Sequence, residues 1–411
     1  MVECGAKCYS INMKARKILK CVVWVILGVV AISVATCAAL VFINGTDKKS
    51  ESTPATEPVA VTAEPQIVSA KSRILFGGTT FWGRRTNKLA RASSLGVAYP
   101  FAKLDTLNRS DYDAWIMGLE CPITNNGHNE YDETKLLKFN CDQDYLPEAK
   151  KWFTAMMIGT NHTDNQGADG FEQTKTALSQ AGIQYFGHYD YTNSTENCGV
   201  IVLPIKTTNS DGQVSDYKMP MGFCSAHGVF GIPTEAALQN IKTYATVLPT
   251  IVMPHMGKEY QSSADQLRTN LFHKMIDYGA DMVLADHPHW IQNSEAYEGK
   301  LIVYSMGNFM FDQSAKETTR SAAIDITANF GSDIDYEAWN KLGESCLADR
   351  ANCFENIKAA KLPKISVNWS NFDFHGTTSA GDSQTRLASD AEQAEIRQRL
   401  NWNVTLAGLK K

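Results

Sequence analysis

The chain has 411 residues, 44% of them hydrophobic and 20% charged, enough to bury a core as two or three domains or as one large α/β domain with attachments. Its 39 basic and 44 acidic residues leave a net charge of -5, without the polycationic signature that a nucleic acid partner calls for.

At the N-terminus, Lys7, Lys14, Arg16, Lys17 and Lys20 precede an uncharged run from Val22 to Ile43. About 20 apolar residues cross a bilayer core, so the run predicts one transmembrane anchor at 22–43 behind a short basic tail at 1–21. Basic residues on the N-terminal side predict a single-pass protein of the cell membrane, with its N-terminus cytoplasmic and its main domain extracellular. A cleaved signal peptide is the competing reading, but its apolar region is usually only about 7–15 residues long. Cys37 is a poor lipoprotein cysteine because the apolar run continues past it. Residues 44–70 are rich in Ser, Thr, Pro, Glu and Lys, and read as a flexible tether to an exterior domain at 71–411.

The cysteines agree with this topology. Cys4, Cys8, Cys21 and Cys37 lie before or within the apolar run, while Cys121, Cys141, Cys198, Cys224, Cys346 and Cys353 follow it. An even number beyond the membrane fits an oxidising compartment and disulfides, and Cys346 and Cys353 are near enough in sequence to pair locally. No C-x-x-C spacing points to a thiolate metal site.

From Ser72 onward short apolar runs alternate with amphipathic stretches. "RILF" ends at Gly77-Gly78, "AWIM" at Gly118-Leu119-Glu120, "TAMMI" at Gly159-Thr160-Asn161-His162, "TIVM" at Pro254-His255, "DMVLA" at Asp286-His287 and "LIVY" at Ser305-Met306-Gly307-Asn308. Runs this short and this rich in large apolar residues predict strands buried on both faces. Helical spacing lies between them, in Phe171, Thr174, Leu178 and Ala181, in Leu238, Ile241 and Ala245, and in Leu267, Leu271, Met275 and Tyr278. Strands alternating with helices give a layered α/β sheet, and the polar residues that follow the runs then converge on one rim. Further on, "SAAIDITANF" and "KISVNWSNFDF" read as strands and "DAEQAEIRQRLNW" as a closing helix, with no chemistry apparent.

Glu120, Asn161, His162, Asp164, His255, His287 and His289 are the rim candidates, with Asp286 just ahead of the two histidines. Imidazole with carboxylate and amide oxygen is a donor set for borderline divalent ions such as Zn, Mn or Fe. Pro288 restricts the residue before it and holds two imidazoles at close range. Each residue also has a plainer reading: Glu120 caps a turn, Asn161 serves a turn, Asp164 begins a loop, and a lone histidine is a hydrogen-bonded core residue. In "YSMGNFMFD", Ser305 and Gly307 serve backbone geometry, and Asn308 is the member that meets substrate or braces a ligand.

The stretches "GLECPIT", "IGTNHTDNQGADGFEQT", "PHMGKEY", "YGADMVLADHPHWIQ" and "IVYSMGNFMFDQ" resemble the CapA family of poly-γ-glutamate capsule biosynthesis proteins, over residues 73–315. That family's fold is similar to the calcineurin-like metallophosphoesterases, so the resemblance implies a layered β-sheet core with flanking helices. It also implies that Glu120 bridges two ions, that Asn161, His255 and His287 complete one coordination sphere, and that His289 serves the other. The family's first strand normally ends in Gly-Asp, and here Gly78 stands where the aspartate should be; its Asn-Leu-Glu is Gly118-Leu119-Glu120. Glycine offers no oxygen, so one ion is firmly held and the second is weak or absent unless Asp105, Asp111 or Asp113 substitutes.

The implied chemistry is metal-assisted hydrolysis or transfer at a phosphoester or related bond. In it, His162, oriented by Asp164, protonates the leaving oxygen, and Arg84 meets an anionic group or else forms a surface ion pair. The implied role is capsule or surface-polymer biosynthesis, with an anionic polymer or its precursor, the membrane and capsule-synthesis membrane proteins as partners. The alternative of another class is a non-catalytic assembly or export scaffold with a partly degenerate site.

Overall fold

The computed structural model describes residues 66–409. The basic tail, the apolar run at 22–43 and the tether up to residue 65 lie outside the described residues. Among the described residues no helix is long and apolar enough to cross a membrane.

In chain order the strands are β1 (Ile67–Thr80), β2 (Ala114–Leu119), the two-residue β3 (Ile123–Thr124) and β4 (Cys141–Asp142), β5 (Ala155–Met157) and β6 (Gln184–Phe186). They continue with β7 (Cys198–Asn209), β8 (Val214–His227), β9 (Thr250–His255), β10 (Met282–Leu284), β11 (Ser294–Tyr297) and β12 (Lys300–Val303). Last come β13 (Asn308–Met310), β14 (Arg320–Phe330), β15 (Val367–Thr378) and β16 (Arg386–Leu387). All but β3 and β4 join one 14-stranded mixed sheet.

β1 is its hinge. Its first residues pair antiparallel with β7, its middle pairs antiparallel with β14, and its end runs parallel to both β2 and β13. One parallel group is thus β1, β2, β5 and β6, and the other is β8, β9, β10 and β12.

Period-two alternation decides which core each side chain joins. Ala114 and Ile116 point into the larger core with Ile74, Phe76, Phe223 and Val252, while Trp115, Met117 and Leu119 point into a second core with Leu75, Met156 and Phe171. Helix Gly167–Gln180 closes that second face through buried Phe171, Thr174, Ala177 and Leu178. Both faces are covered, which is why these strands read as unbroken apolar runs.

Several expectations shift. The stretch predicted as a tether, 44–70, overlaps β1, where Ile67, Ser69 and Ala70 pair with Asn209, Thr208 and Thr207 of β7. Helix Gln266–Asp277, capped by Asp265, buries Met275 of the predicted stripe and packs Leu271 and Tyr278 on the core, but Phe272 and Ile276 are buried too and Leu267 is left 43% exposed. The long hairpin β7–β8, turned at Gly212 with φ 78°, was not anticipated. The disulfides are Cys121–Cys141, Cys198–Cys224 across that hairpin, and the expected local pair Cys346–Cys353.

Candidate metal centre

The carboxyl ends of the parallel strands deliver their next residues to one place. Glu120 follows β2, and its N–H donates to the Thr80 carbonyl at the end of β1 (3.0 Å). His255 ends β9, and Asp286 bridges to it beyond the end of β10. The chain then passes through His287 and His289 at φ 95° and 59°, left-handed values for residues with side chains. Backbone of this kind costs on the order of 1–3 kcal/mol per residue and persists where the surroundings enforce it. The carbonyl of Pro288 between them accepts from Tyr260 N–H (2.9 Å), which pins the turn.

Glu120, His255 and His287 each offer one donor atom, and the three atoms lie within 4.8 Å of one another. All three residues are buried. Glu120 Oε2 and His287 Nδ1 have no hydrogen-bond partner, although a buried polar atom left unpaired costs about 1–3 kcal/mol. His255 Nε2 is 2.8 Å from Asn161 Oδ1, and His162 Nε2 is 3.9 Å from Glu120 Oε1.

Burial pushes the Glu120 carboxyl well above its ordinary range, and the neighbouring Asp286 pushes it further. Burial lowers His255 and His287 well below the usual imidazole value, and it drives Asp286 up to about 7. The centre therefore holds neutral imidazoles beside carboxyl groups whose ionised form burial disfavours. A divalent cation answers both deficits, since it accepts the lone pairs and favours the ionised carboxylate. The orphaned atoms and the nitrogen and oxygen donors fit such an ion.

Residues 73–313 match the model of the bacterial capsule synthesis protein family PGA_cap. This chain belongs to that family. The capsule biosynthesis protein CapA of Bacillus anthracis is 26% identical over 259 residues, which are 60% of this chain and 61% of that protein. The PGA biosynthesis protein CapA of Bacillus subtilis (strain 168) is 25% identical over 276 residues, 65% of this chain and 69% of that one. The PGA_cap match takes in every donor of the centre.

Within this PGA_cap chain the remaining site candidates sort differently from their sequence reading. Asn165, not Asp164, orients His162: its Oδ1 lies 2.8 Å from His162 Nδ1, while Asp164 Oδ1 only meets Asn165 Nδ2 at 3.4 Å. In a tight turn the residue three positions on comes alongside, and the residue two on points away. Arg84 forks onto Asp312, with Nε at 3.0 Å and Nη2 at 2.6 Å, the ion pair of its two readings. Asn308 likewise braces a ligand candidate: its Oδ1 is 2.8 Å from His289 Nδ1, and its amide donates to Gln313 and to the Thr318 carbonyl. His289 itself stands outside the three-donor cluster.

The aspartates proposed to replace the missing one are at the wrong end. Asp113 accepts from Arg73 N–H at the start of β2, and Asp105 and Asp111 precede it. Glu120 follows that strand, roughly 20 Å away at about 3.3 Å per residue. Gly78 has no room for a carboxylate either, because a Cβ there would lie 2.0 Å from the Gly307 carbonyl oxygen. His227 was overlooked. It ends β8 opposite His255, its Nδ1–H donates to the Tyr189 carbonyl, and its buried Nε2 has no partner. The signal was "FCSAHG", an apolar run closed by a histidine like the others.

Proposed function

We propose that this PGA_cap chain is a membrane-tethered enzyme of surface-polymer assembly, with one divalent ion held by Glu120, Asn161, His255 and His287. Its reaction is hydrolysis or transfer at a phosphoester or related bond of an anionic, poly-γ-glutamate-like polymer or its precursor. The polymer class comes from the relatives' names, capsule biosynthesis and PGA biosynthesis. The observation that carries the ion is the buried meeting of Glu120, His255 and His287 with two donor atoms left unpartnered.

Such an ion, when bound, supplies Lewis acidity and lowers the pKa of a water to about 7. His162 manages the proton beside it. Burial pushes its pKa down to about 4, so the ring is neutral at pH 7. With Nδ1–H donating to Asn165, the free lone pair sits on Nε2, the nitrogen nearest Glu120. A neutral Nε2 takes a proton from water first and returns it to the leaving oxygen second. Phe139, stacked on the ring at 4.0 Å, covers its face and holds its orientation.

A second reading, a scaffold that binds polymer without turning it over, is favoured by the blocked position at Gly78, which removes a carboxylate of the second ion. Elemental analysis of the purified chain, followed by a panel of phosphoester substrates, separates the readings. About one equivalent of Zn, Mn or Fe together with turnover supports the enzyme. Metal without turnover supports the scaffold, and no metal after reconstitution removes the centre altogether. Protease added to intact cells tests the tether, and protection of the region after Lys71 contradicts an exterior domain.

A further inference from the structure

Asp286 is not one of the three clustered donors, yet it is buried among them. Its Oδ1 lies 2.7 Å from His255 Nδ1 and its Oδ2 lies 3.4 Å from Thr79 Oγ1. Where Asp286 is ionised it only accepts, so His255 Nδ1 then carries the proton and donates it. That leaves a lone pair on Nε2, which faces another acceptor, Asn161 Oδ1, at 2.8 Å. Such a lone pair takes as its partner a cation or the Nδ2–H of a turned Asn161 amide.

The carboxylate reaches this place because residue 118 is glycine. A Cβ on Gly118 would stand 2.1 Å from Asp286 Oδ2.

We propose that Gly118 and Asp286 form a coupled pair in which Asp286 is the positioning residue of the centre. Seated in the space beside Gly118, it holds His255 with Nδ1 protonated and Nε2 turned toward the ion. A carboxylate behind a ligating imidazole fixes its tautomer and raises its basicity, and loss of such a partner typically costs roughly 10–100-fold in metal affinity. The pairing strengthens one ion site in a chain where the Gly307 carbonyl fills the space beside Gly78. This inference rests on the one-ion reading above.

The test uses the full-length protein, titrated calorimetrically with Zn2+ alone, and the 15N NMR signature of the His255 ring in chelator. Asp286→Ala is expected to weaken Zn2+ binding by roughly 10–100-fold and to release the tautomer. Gly118→Ala should weaken it comparably, because the added methyl displaces the carboxylate without removing it. Asp286→Asn keeps an acceptor for Nδ1–H and should retain the tautomer while losing less affinity. If Asp286→Ala fails to fold, Gly118→Ala and Asp286→Asn still carry the comparison. An Nε2–H tautomer in the unmodified protein, or Zn2+ binding unchanged in Gly118→Ala, overturns the proposal. A wild-type chain that binds no Zn2+ sinks the one-ion reading instead, and the tautomer then decides the Asp286–His255 pairing by itself.

Discussion

At the end of β10 the chain turns through His287 and His289 at positive φ and keeps both imidazoles at the rim. At the end of β1 it runs through Gly78, and the Gly307 carbonyl of the incoming β13 segment occupies the space a side chain would need. The ends lie in one sheet, yet the first tolerates backbone strain to present its donors, and the second has no side chain and packs against backbone instead. At Gly118 the space beside the glycine is filled by a side chain, Asp286, rather than by backbone.

The largest effect should come from the strained turn. His287→Ala is expected to remove the ion, a loss beyond the roughly 100-fold typical of residues that merely brace a ligand. His287→Gly should lose the ion equally, but its metal-free form should melt higher than that of His287→Ala by about 1 kcal/mol, because glycine adopts positive φ without strain. Elemental analysis and melting in chelator check both. Ion retained in His287→Ala would falsify the assignment of that ring as a ligand.

Next in size is His162→Ala, which should keep the ion and lower turnover by about 10²–10⁴-fold, the usual contribution of a positioned acid or base. Equal metal loss in this variant and in His287→Ala contradicts the division of roles. Asn165→Ala should reproduce part of the kinetic loss, whereas Asp164→Ala should not.

Gly78→Asp is smaller and tests the closed end directly. Restoring the carboxylate forces it against the Gly307 carbonyl, so the variant should be destabilised by about 1–3 kcal/mol and should still bind one ion. Two equivalents of metal at unchanged stability would show that the end of β1 opens readily.

The sequence carried the rim well because each of its strands is buried on both faces, so "AWIM", "TIVM" and "DMVLA" stand out against the polar residues that follow. β7 and β8 escaped notice because their outer halves are exposed and hold Lys206, Asp216 and Lys218, which break up the apolar run. With β8 unseen, His227 could not join the other strand-end histidines. The absence of an aspartate at Gly78 was legible, but the carbonyl that fills its place belongs to a segment more than two hundred residues away in sequence. Nor does sequence say which neighbour lies beside His162, because one step along a turn exchanges Asp164 for Asn165.

The segment after Glu120 is fastened from outside, by Cys121–Cys141 and by His128, and here the expected effect is smallest. His128 Nε2 is 2.8 Å from Asp142 Oδ1 and Nδ1 is 2.5 Å from Glu133 Oε1. These bonds, to Asp142 first and Glu133 second, hold the ring protonated and push its pKa up to about 10. Because that value lies above the unfolded one near 6.5, the folded chain binds the extra proton. The stabilisation is full below about pH 6.5 and is lost as pH rises through about 10. At the acid end it fades again: burial acts to raise Asp142, but His128 and Arg91 overcome it and hold the carboxyl below its ordinary range, so that partner is lost on protonation. With the ring 26% exposed, solvent screening limits the effect to about 1 kcal/mol. His128→Gln should therefore melt below the wild type at pH 6 and draw level with it by pH 10. A gap that stays constant across that range would mean the ring acts by packing alone, leaving the disulfide as the fastening that holds Glu120's side of the rim.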